Sequence, residues 1–368
     1  MPSSGLTPAQ LTDAIASAND AAVEKYEKNG GFYCFDIDAP RSFPLIRAMQ
    51  TEPITIKGGE YITWRFNYRD DGDPAFVLPG QTYSPVHKQI IKKLTVPWAH
   101  AHTMFTVLDE DVAANREPEQ IIDFVALKRK STGVGHGTLV ENKAWAAHPT
   151  SSDTDPYTIP SWIVPITTAQ VAAATSGFQG GMPSGASTLA GLDITSATYN
   201  RFWNYNFVWS NSGGTWTNAD AANAGKMFDE LDFETPPMAG DFMKPPYNKR
   251  RIYVDHTMLE SMQQRAREQN DQVGADLAAY QGTVLFRGLR PEWQKQLDTA
   301  DATARGAHPF YLVDWSAIRP VVREGEYFRH QVCAPSAQQP DCVTTHVWLV
   351  YNLIALSRQR LGVGSYVA

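Results

Sequence analysis

The stretch that most constrains the fold is residues 190–207, which read AGLDITSATYNRFWNYNF. Large flat side chains alternate with amide side chains over its second half, and the glycine-rich segment GFQGG precedes it at residues 177–181. Trp, Tyr and Arg dominate buried contacts because they bring a large apolar area and a polar tip at modest entropy cost. This segment either presses against another surface or is a strand of the core, and the pattern fits both interpretations.

The composition is that of a folded subunit with covered faces. The 368 residues are 43% hydrophobic, which is ample for one large domain or two ordinary ones. Charged residues make up 19% of the chain, below the roughly 25% that is typical of soluble domains. The low fraction of charged residues indicates that less of the surface than usual is exposed to solvent. Contacts with neighbouring subunits or a large core would each explain the low fraction.

The charge distribution argues against several classes of partner. A net charge of −7 does not favour broad electrostatic binding of nucleic acid, and the basic runs at residues 128–130 and 249–251 are short. No apolar run approaches the roughly 20 residues that span a bilayer. The N-terminal sequence lacks the charged and apolar regions of a signal peptide. We therefore expect a chain that works in the compartment where it is made.

The sequence predicts no catalytic residue, no cofactor-binding residue and no metal ligand. His100 and His102 form an H-x-H pair, which can supply two metal ligands from one strand, but no recognisable companion ligands accompany them. Cys34, Cys333 and Cys342 suit a reducing compartment, and their odd number favours free thiols over a disulfide between the last two. No paired carboxylates, nucleophile elbow or phosphate loop is present.

The first part of the chain predicts a helix followed by a long hairpin. Residues 7–30 form an amphipathic pattern that begins with Thr-Pro and ends at two glycines. Alternation over residues 61–68 and again over residues 94–107 predicts two strands, joined through an Asp-, Gly- and Pro-rich tip at residues 70–85. A hairpin with few partners of its own is marginal in water, so we expect it to rest on a neighbouring subunit or domain.

Two helical patterns follow the hairpin, at residues 117–130 and 139–147. Between them lies GVGHG, at residues 133–137, which does not form a proper dinucleotide-binding fingerprint. We interpret its three glycines as a hinge or helix stop. The expectation is a long helix, broken or unbroken, beside the hairpin.

The second half of the sequence predicts alternating helices and strands. The expected elements are a helix capped by Asn218, a strand at 251–254, a helix capped near Asp255 and ending at about Asn270, and strands at 283–286, 309–315 and 343–356. This succession indicates an α+β domain. The first and last strands are expected to meet and to join one discontinuous domain around an inserted one.

In this order, the residues resemble the major capsid protein of tailed bacteriophages, which has the HK-97-like fold. The resemblance rests on GFQGG, AGLDITSATYNRFWNYN, MFDELDF, RIYVDHTMLESMQQRAREQNDQVGADLA, GTVLFRGLRP, PFYLVDW and VWLVYNLIAL. These motifs cover most of residues 50–360. Each is structural and loose by itself, so their order carries the resemblance.

The resemblance implies an α+β, HK-97-like fold in five parts. They are an N-terminal arm (1–50), an extended β-hairpin loop (51–105), a spine helix with part of the peripheral domain (106–160), an axial domain (161–310) and a return to the peripheral domain with the C-terminal strand (311–368). The short N-terminal segment implies a separate scaffolding protein, or none, rather than a fused scaffolding region.

The resemblance also implies a structural subunit rather than an enzyme. Many copies would self-assemble through pentamers and hexamers into an icosahedral virion shell around double-stranded DNA, in the host cytoplasm. The implied partners are scaffolding, portal and decoration proteins, with packaged DNA contacted only weakly and no membrane. The alternatives are another virion subunit, such as a tail protein, and a metal-dependent or sugar-binding β-rich enzyme.

Some relatives cross-link their subunits through a Lys to Asn isopeptide bond assisted by a Glu. The candidate lysines in this sequence are Lys57, Lys88, Lys92 and Lys93. Nothing in the sequence selects a Lys, Asn and Glu triplet, and ordinary solvated lysines explain these positions equally well.

Overall fold

The structure is a computed structural model that describes most of the chain after residue 42. The described residues are 43–51, 53–69, 76, 78, 88–108, 110–111, 118–149, 154–165, 177–179, 181–183, 185–209, 216–233, 249–271, 285–286, 288–298, 308–333 and 341–366. The helix predicted over residues 7–30, most of the hairpin tip at residues 70–85 and Cys34 lie outside them.

The described residues form helices and strands in a mixed order, as expected of an α+β protein. The helices are α1 (Pro44–Thr51), α2 (Pro118–Ala144), α3 (Ile159–Trp162), α4 (Asn218–Phe233), α5 (His256–Asp271) and α6 (Lys295–Asp298), with 3-10 turns at Ala197–Phe202 and Arg358–Arg360. The strands are β1 (Ile54–Ile56), β2 (Tyr61–Asn67), β3 (Ile91–Pro97), β4 (Ala99–Leu108), β5 (Gly177–Gln179), β6 (Asn204–Trp209), β7 (Arg250–Val254), β8 (Pro291–Trp293), β9 (Phe310–Asp314), β10 (Ile318–Arg323), β11 (Arg329–Cys333), β12 (Cys342–Ala355) and β13 (Gly362–Tyr366).

A five-stranded sheet is built around the 14-residue strand β12. Strand β4 pairs antiparallel along one edge of β12, from Leu108 opposite Cys342 to Ala99 opposite Tyr351. Strands β10 and β11 pair with the other edge, and β1 lies parallel to β10. The strand predicted over residues 343–356 is therefore confirmed as β12. The first described strand, β1, shares this sheet with β12, the last strand that the sequence predicted, and β10 lies between them.

A six-stranded sheet has the order β5-β6-β13-β9-β7-β8, and its two faces contact different cores. On one face, Ile252 and Leu312 pack with apolar residues of α4 and α5. On the other face, Tyr311 and Val313 join a larger cluster that also contains residues of β12 and of the β2–β3 hairpin. One continuous core therefore connects this sheet with the five-stranded sheet.

The C-terminal strand β13 is an element that the sequence analysis missed. It runs parallel to β6 and antiparallel to β9 in the middle of the six-stranded sheet. Its sequence, GVGSY, has two glycines and little apolar alternation. A Cβ atom on Gly364 would lie 2.1 Å from Cζ of Phe207, so the close approach of β13 to β6 requires glycine at this position.

Helix α2 is one unbroken helix of 27 residues. The interpretation of Gly133, Gly135 and Gly137 as a hinge or stop is therefore wrong. Gly133 and Gly137 lie one turn apart and are buried, whereas Gly135 is exposed and has open space where a Cβ atom would be. Tertiary packing of α2 outweighs the roughly 1 kcal/mol that each glycine costs a helix.

The second strand of the hairpin is shorter than predicted, because only part of the predicted segment pairs with β2. Strands β2 and β3 pair antiparallel from Tyr61 opposite Pro97 to Asn67 opposite Ile91. The predicted strand over residues 94–107 is divided at Trp98 into β3 and β4, and only β3 belongs to the hairpin. The rest of that segment, β4, leaves the hairpin and pairs with β12.

Most elements of the second half agree with their predictions. Strand β7, helix α5 and strand β9 lie where expected, and the Asp255 carboxylate accepts a hydrogen bond from the Met258 amide at 3.0 Å as the predicted cap. Helix α4 begins at Asn218, but its capping residue is Thr217, whose hydroxyl accepts from the Asp220 amide. The strand predicted over residues 283–286 is wrong for its described residues, which form only an isolated bridge between Phe286 and Leu289.

The glycines of β13 and α2 give a matched pair of substitutions. Gly364→Ala is expected to lower the free energy of unfolding by about 1–3 kcal/mol, the range for overpacking a core. Gly135→Ala is expected to raise it by about 0.5–1 kcal/mol, because alanine is the better residue in an exposed helix interior. Urea denaturation of the two variants would check both signs, and equal effects would contradict the packing described for Gly364.

Candidate functional site

The hairpin is fixed to the rest of the chain by three aromatic pairs, which we call the aromatic seam. The pairs are Trp64 with Trp162 (ring centroids 5.9 Å apart), Phe66 with Phe202 (4.7 Å) and Tyr68 with Tyr199 (5.3 Å). The hairpin members alternate along one strand, so all three rings leave the same face. A backbone hydrogen bond from the Thr95 amide to the Ala190 carbonyl at 3.1 Å continues the contact on β3.

The aromatic seam explains the segment over residues 190–207. The sequence left open whether this segment contacts another surface or belongs to the core, and it does both within one chain. Tyr199 and Phe202 contact the hairpin, while Tyr205 and Phe207 are buried in the core under helix α4. The described base of the hairpin thus rests on another part of its own chain, which is one of the two supports that we expected.

A buried arginine lies behind the aromatic seam. Arg358 donates three hydrogen bonds: from Nε to the Trp162 carbonyl (2.6 Å), from Nη1 to the Phe202 carbonyl (3.1 Å) and from Nη2 to the Asn204 Oδ1 atom (2.6 Å). Its guanidinium also lies 5.6 Å from the centre of the Phe202 ring. Burial lowers the pKa of Arg358 to about 9. The arrangement joins α3, the 3-10 turn before β6 and β6 itself through one side chain.

A buried carboxyl group makes a second junction, at the start of helix α1. Glu141 on α2 accepts hydrogen bonds from the Leu45 amide (3.1 Å) and from Trp145 Nε1 (2.8 Å). Burial raises the pKa of Glu141 to about 8, although these donors oppose the shift. Arg47 of α1 then reaches the six-stranded sheet through Glu292, at 3.0 Å. Helix α1 is therefore held between the long helix α2 and the six-stranded sheet.

Two buried basic side chains and one half-buried histidine lie where α2 packs on the five-stranded sheet. Arg129 and His136 are buried on α2, and His330 is half-buried on β11. The ring nitrogens of His136 and of His330 are buried, and within the described part of the chain none of them has a hydrogen-bond partner. Burial lowers the pKa of each histidine to about 4. The charge of His102 also lowers the pKa of His136. The charges of Arg129 and His136 also lower the pKa of His330.

The predicted H-x-H pair lies on the opposite, solvent-facing side of this sheet. His100 and His102 are both exposed. The structure does not pair them with each other in a site; instead, His102 Nε2 lies 2.8 Å from Nδ1 of His346, and its ring lies 4.2 Å from that of Trp348. Sequence reasoning could not have found this contact, because His346 is 244 residues away along the chain.

Exposed apolar side chains are distributed over several separate surfaces. They include Tyr61 and Ile91 on the hairpin, Met104 and Leu108 on β4, Leu127 and Leu139 on α2, and Trp293 on the edge strand β8. Leu127 and Leu139 lie on one face of α2, three turns apart, with exposed Ser131 and Gly135 between them. Separate surfaces of this kind are typical of a subunit that contacts several neighbours.

The remaining sequence-derived candidates take no part in a described site. Cys333 and Cys342 are not joined by a disulfide. Lys92 and Lys93 lie on β3, and Lys57 lies in the turn after β1. Among the described residues, no group of three or more His, Cys, Asp or Glu side chains could hold a metal ion. Within the same part of the chain, no helix has the length and apolar character to cross a membrane.

One cleft lies beside the aromatic seam, with a volume of about 270 Å³. Its lining consists of Phe66, Asn67, Arg201, Ser316, Ala317, Leu356, Ser357, Gln359 and Arg360. Those described lining residues include no carboxylate, histidine or cysteine. These described residues therefore supply none of the acid and base groups that most hydrolytic sites require.

Comparison with solved structures places this geometry among phage capsids. The chain is similar to the Cyanophage A-1(L) capsid asymmetric unit, at 12% identity and a TM-score of 0.56, over 89% of this chain and 93% of that chain. It is also similar to the capsid of a native GTA particle (12% identity, TM-score 0.51, 87% of this chain and 90% of that chain). The chain has a phage capsid fold. No protein-family model and no curated protein matches it.

The capsid fold confirms the α+β, HK-97-like class that the resemblance implied. The identity of 12% means that the fold is retained with almost no shared sequence. Core positions can exchange among apolar residues of suitable volume without loss of the fold. The order of elements, rather than any single motif, is therefore what the chain has in common with these capsid subunits.

Arg358 provides the sharpest test of how the capsid fold is held together. Arg358→Lys keeps the charge but cannot reach all three acceptors, and it should destabilise the protein by about 3 kcal/mol, since buried acceptors left unpaired cost 1–3 kcal/mol each. Arg360→Lys is the matched control, because Arg360 is only half-buried. Urea denaturation of both variants would measure the difference, and equal stabilities would refute the role given to Arg358.

The buried histidines predict a loss of stability in acid. His136 has an ordinary pKa of 6.5 and a folded-state pKa of about 4, so the unfolded chain binds a proton that the folded chain excludes. The contribution of the neutral His136 ring to the free energy of unfolding is complete above pH 6.5. It is lost as the pH falls from 6.5 to 4, by roughly 1 kcal/mol per pH unit. His136→Phe should flatten this part of a stability profile measured by urea denaturation from pH 7 to 4. An unchanged acid slope in this variant would contradict the assignment.

Proposed function

We propose that this chain is the major capsid protein of a tailed bacteriophage, the subunit that self-assembles into the icosahedral shell around a double-stranded DNA genome. The observation that carries the proposal is the capsid fold, which extends over 89% of this chain and 93% of the cyanophage subunit. The place of this chain would be the virion, after assembly in the host cytoplasm.

The distribution of exposed apolar side chains supports a role in assembly. Leu127 on α2, Met104 on β4 and Trp293 on β8 are each at least half exposed and lie on different elements. Each would contribute to a separate contact of modest strength. Many such contacts per copy make a closed shell far more stable than any one interface, because each added subunit binds through several contacts at once.

The proposal gives each part of the fold a task. The six-stranded sheet with α4 and α5 would be the axial domain, whose copies meet around five-fold and six-fold axes. The five-stranded sheet with α2 would be the peripheral domain, and β2–β3 would be the extended loop. This division differs from the limits that the resemblance implied, because β9 and β13 lie in the six-stranded sheet although residues 311–368 were assigned to the peripheral domain. The limits remain proposals, as do the scaffolding, portal and decoration partners.

The role proposed is structural and not enzymatic. The cleft beside the aromatic seam offers serine and arginine side chains without an acid or base among its described lining residues. The net charge of −7 also opposes tight binding of the packaged DNA. A weak grip would let the genome slide along the inner wall while it is packaged.

Electron microscopy of the purified full chain, with sedimentation of the same sample, tests the proposal. Closed shells, tubes or rings of five and six subunits are the expected outcome, with or without a co-expressed scaffolding protein from the same genome. A discrete small oligomer under both conditions would contradict it.

Leu127 tests whether an exposed apolar position is an assembly contact. Leu127→Glu should leave the thermal unfolding of the unassembled subunit unchanged, because the side chain is 65% exposed. The same change should suppress shells in sedimentation, because a buried, unpaired carboxylate in an interface is costly. Leu127→Met keeps an apolar side chain and should assemble normally. Normal shells from the glutamate variant would remove α2 from the assembly surfaces.

A further inference from the structure

The outer face of the five-stranded sheet carries two imidazoles that converge on each other. His102 lies on β4 and His346 on β12, and these two strands are paired over ten consecutive residues of each. The register places Met104 directly opposite His346 and Trp348 directly opposite His102. The two histidines are therefore diagonal neighbours on one face, held by the longest strand pairing described in the molecule.

The geometry of the two rings is close to that of a pair of metal ligands. Nε2 of His102 and Nδ1 of His346 are 2.8 Å apart, so one ring nitrogen donates a hydrogen bond to the lone pair of the other. A tetrahedral ion with Zn–N bonds of about 2.05 Å separates two imidazole nitrogens by about 3.3 Å. A separation larger by about half an ångström, which small rotations of two exposed side chains can supply, would therefore admit the ion. The ring that donates the present hydrogen bond only has to move its proton to its other nitrogen.

The neighbouring side chains suit a metal site. Trp348 covers the His102 ring at 4.2 Å and limits its motion. The thioether of Met104 is 59% exposed on the same face. Imidazole and thioether groups suit zinc and copper ions, whereas magnesium and calcium prefer oxygen ligands.

We propose that His102 and His346 form a cross-strand site for a divalent transition-metal ion of the zinc class on the outer face of the five-stranded sheet. The predicted pair of His100 and His102 is a different arrangement, since His100 is paired with Val350. No third His, Cys, Asp or Glu ligand joins the site among the described residues. A bound ion therefore keeps open coordination positions for water or for a side chain of a second copy. The site belongs to the subunit itself, whatever the subunit assembles into.

Calorimetric titration of the unassembled full chain with zinc chloride at neutral pH tests the site. Wild-type chain is expected to bind Zn²⁺ and not Mg²⁺, and to lose Zn²⁺ binding near pH 5, where protons compete for the imidazoles. His102→Ala and His346→Gln should each weaken Zn²⁺ binding by about tenfold or more, since loss of even an outer partner of a metal ligand costs that much. Both positions lie on the outer face of the sheet, and circular dichroism would establish that the variants fold.

His100→Ala is the matched control, because it removes an exposed histidine from the same strand and the same face. This variant should bind Zn²⁺ like the wild type. The proposal is overturned if the wild type binds no Zn²⁺, or if His346→Gln binds as tightly as the wild type. It is also overturned if His100→Ala weakens binding as much as His102→Ala, which would assign the ion to the pair on one strand.

Discussion

The guanidinium of Arg358 is the group that joins α3, the 3-10 turn before β6 and β6 itself, and the rest of the structure depends on this junction. It is fully buried, and the three hydrogen bonds described above go to two backbone carbonyls and one amide oxygen, none of which carries a charge. A buried cation is tolerated only when its donors are satisfied in good geometry, because leaving them unpaired costs far more than an ordinary lost contact. The carbonyls of Trp162 and Phe202 therefore have to stay where Arg358 needs them. The aromatic seam is built on the rings of these same two residues.

Glu141, near the C-terminal end of the long helix α2, is a buried acid that makes a second junction. Its buried carboxyl group accepts from the amide of Leu45 and from Trp145, and so fixes the start of α1 on α2. Trp145 in turn packs edge-on against Tyr253 and Tyr311 of the six-stranded sheet. One buried cation and one buried acid thus hold the helices, the hairpin and both sheets around a common core. The capsid fold is recognisable at 12% identity because such a core depends on shape and satisfied polar groups rather than on particular apolar residues.

Local patterns in the sequence predicted the elements whose signals are local. Asp255 correctly predicted the start of α5, and the β-branched run around Val347 correctly predicted β12. The errors arose where distant contacts decide the outcome. Gly133 and Gly137 read as a helix stop, yet both are buried positions of a continuous helix. The sequence analysis assigned no role to Arg358, because its three hydrogen-bond acceptors lie more than 150 residues away along the chain.

The site on the outer sheet face shows the same limit. The H-x-H spacing drew attention to His100 and His102, which are neighbours in sequence, but the structure pairs His102 with a histidine from the other end of the chain. Strand register across 244 residues cannot be read from one sequence. The strand β13 was missed for a related reason, since glycine is required there by the side chain of Phe207 on a neighbouring strand.

Two short links carry the chain between the sheets, residues 315–317 after β9 and residues 356–361 after β12. The Leu356 amide donates to the Ala317 carbonyl at 2.7 Å, so the two links are tied at one place. The second link also contains Arg358, whose guanidinium donates to the Trp162 and Phe202 carbonyls and to Asn204. The passage of the chain from one sheet to the other is therefore fixed twice, by a backbone hydrogen bond and by a buried cation. Movement of one sheet against the other would have to break both.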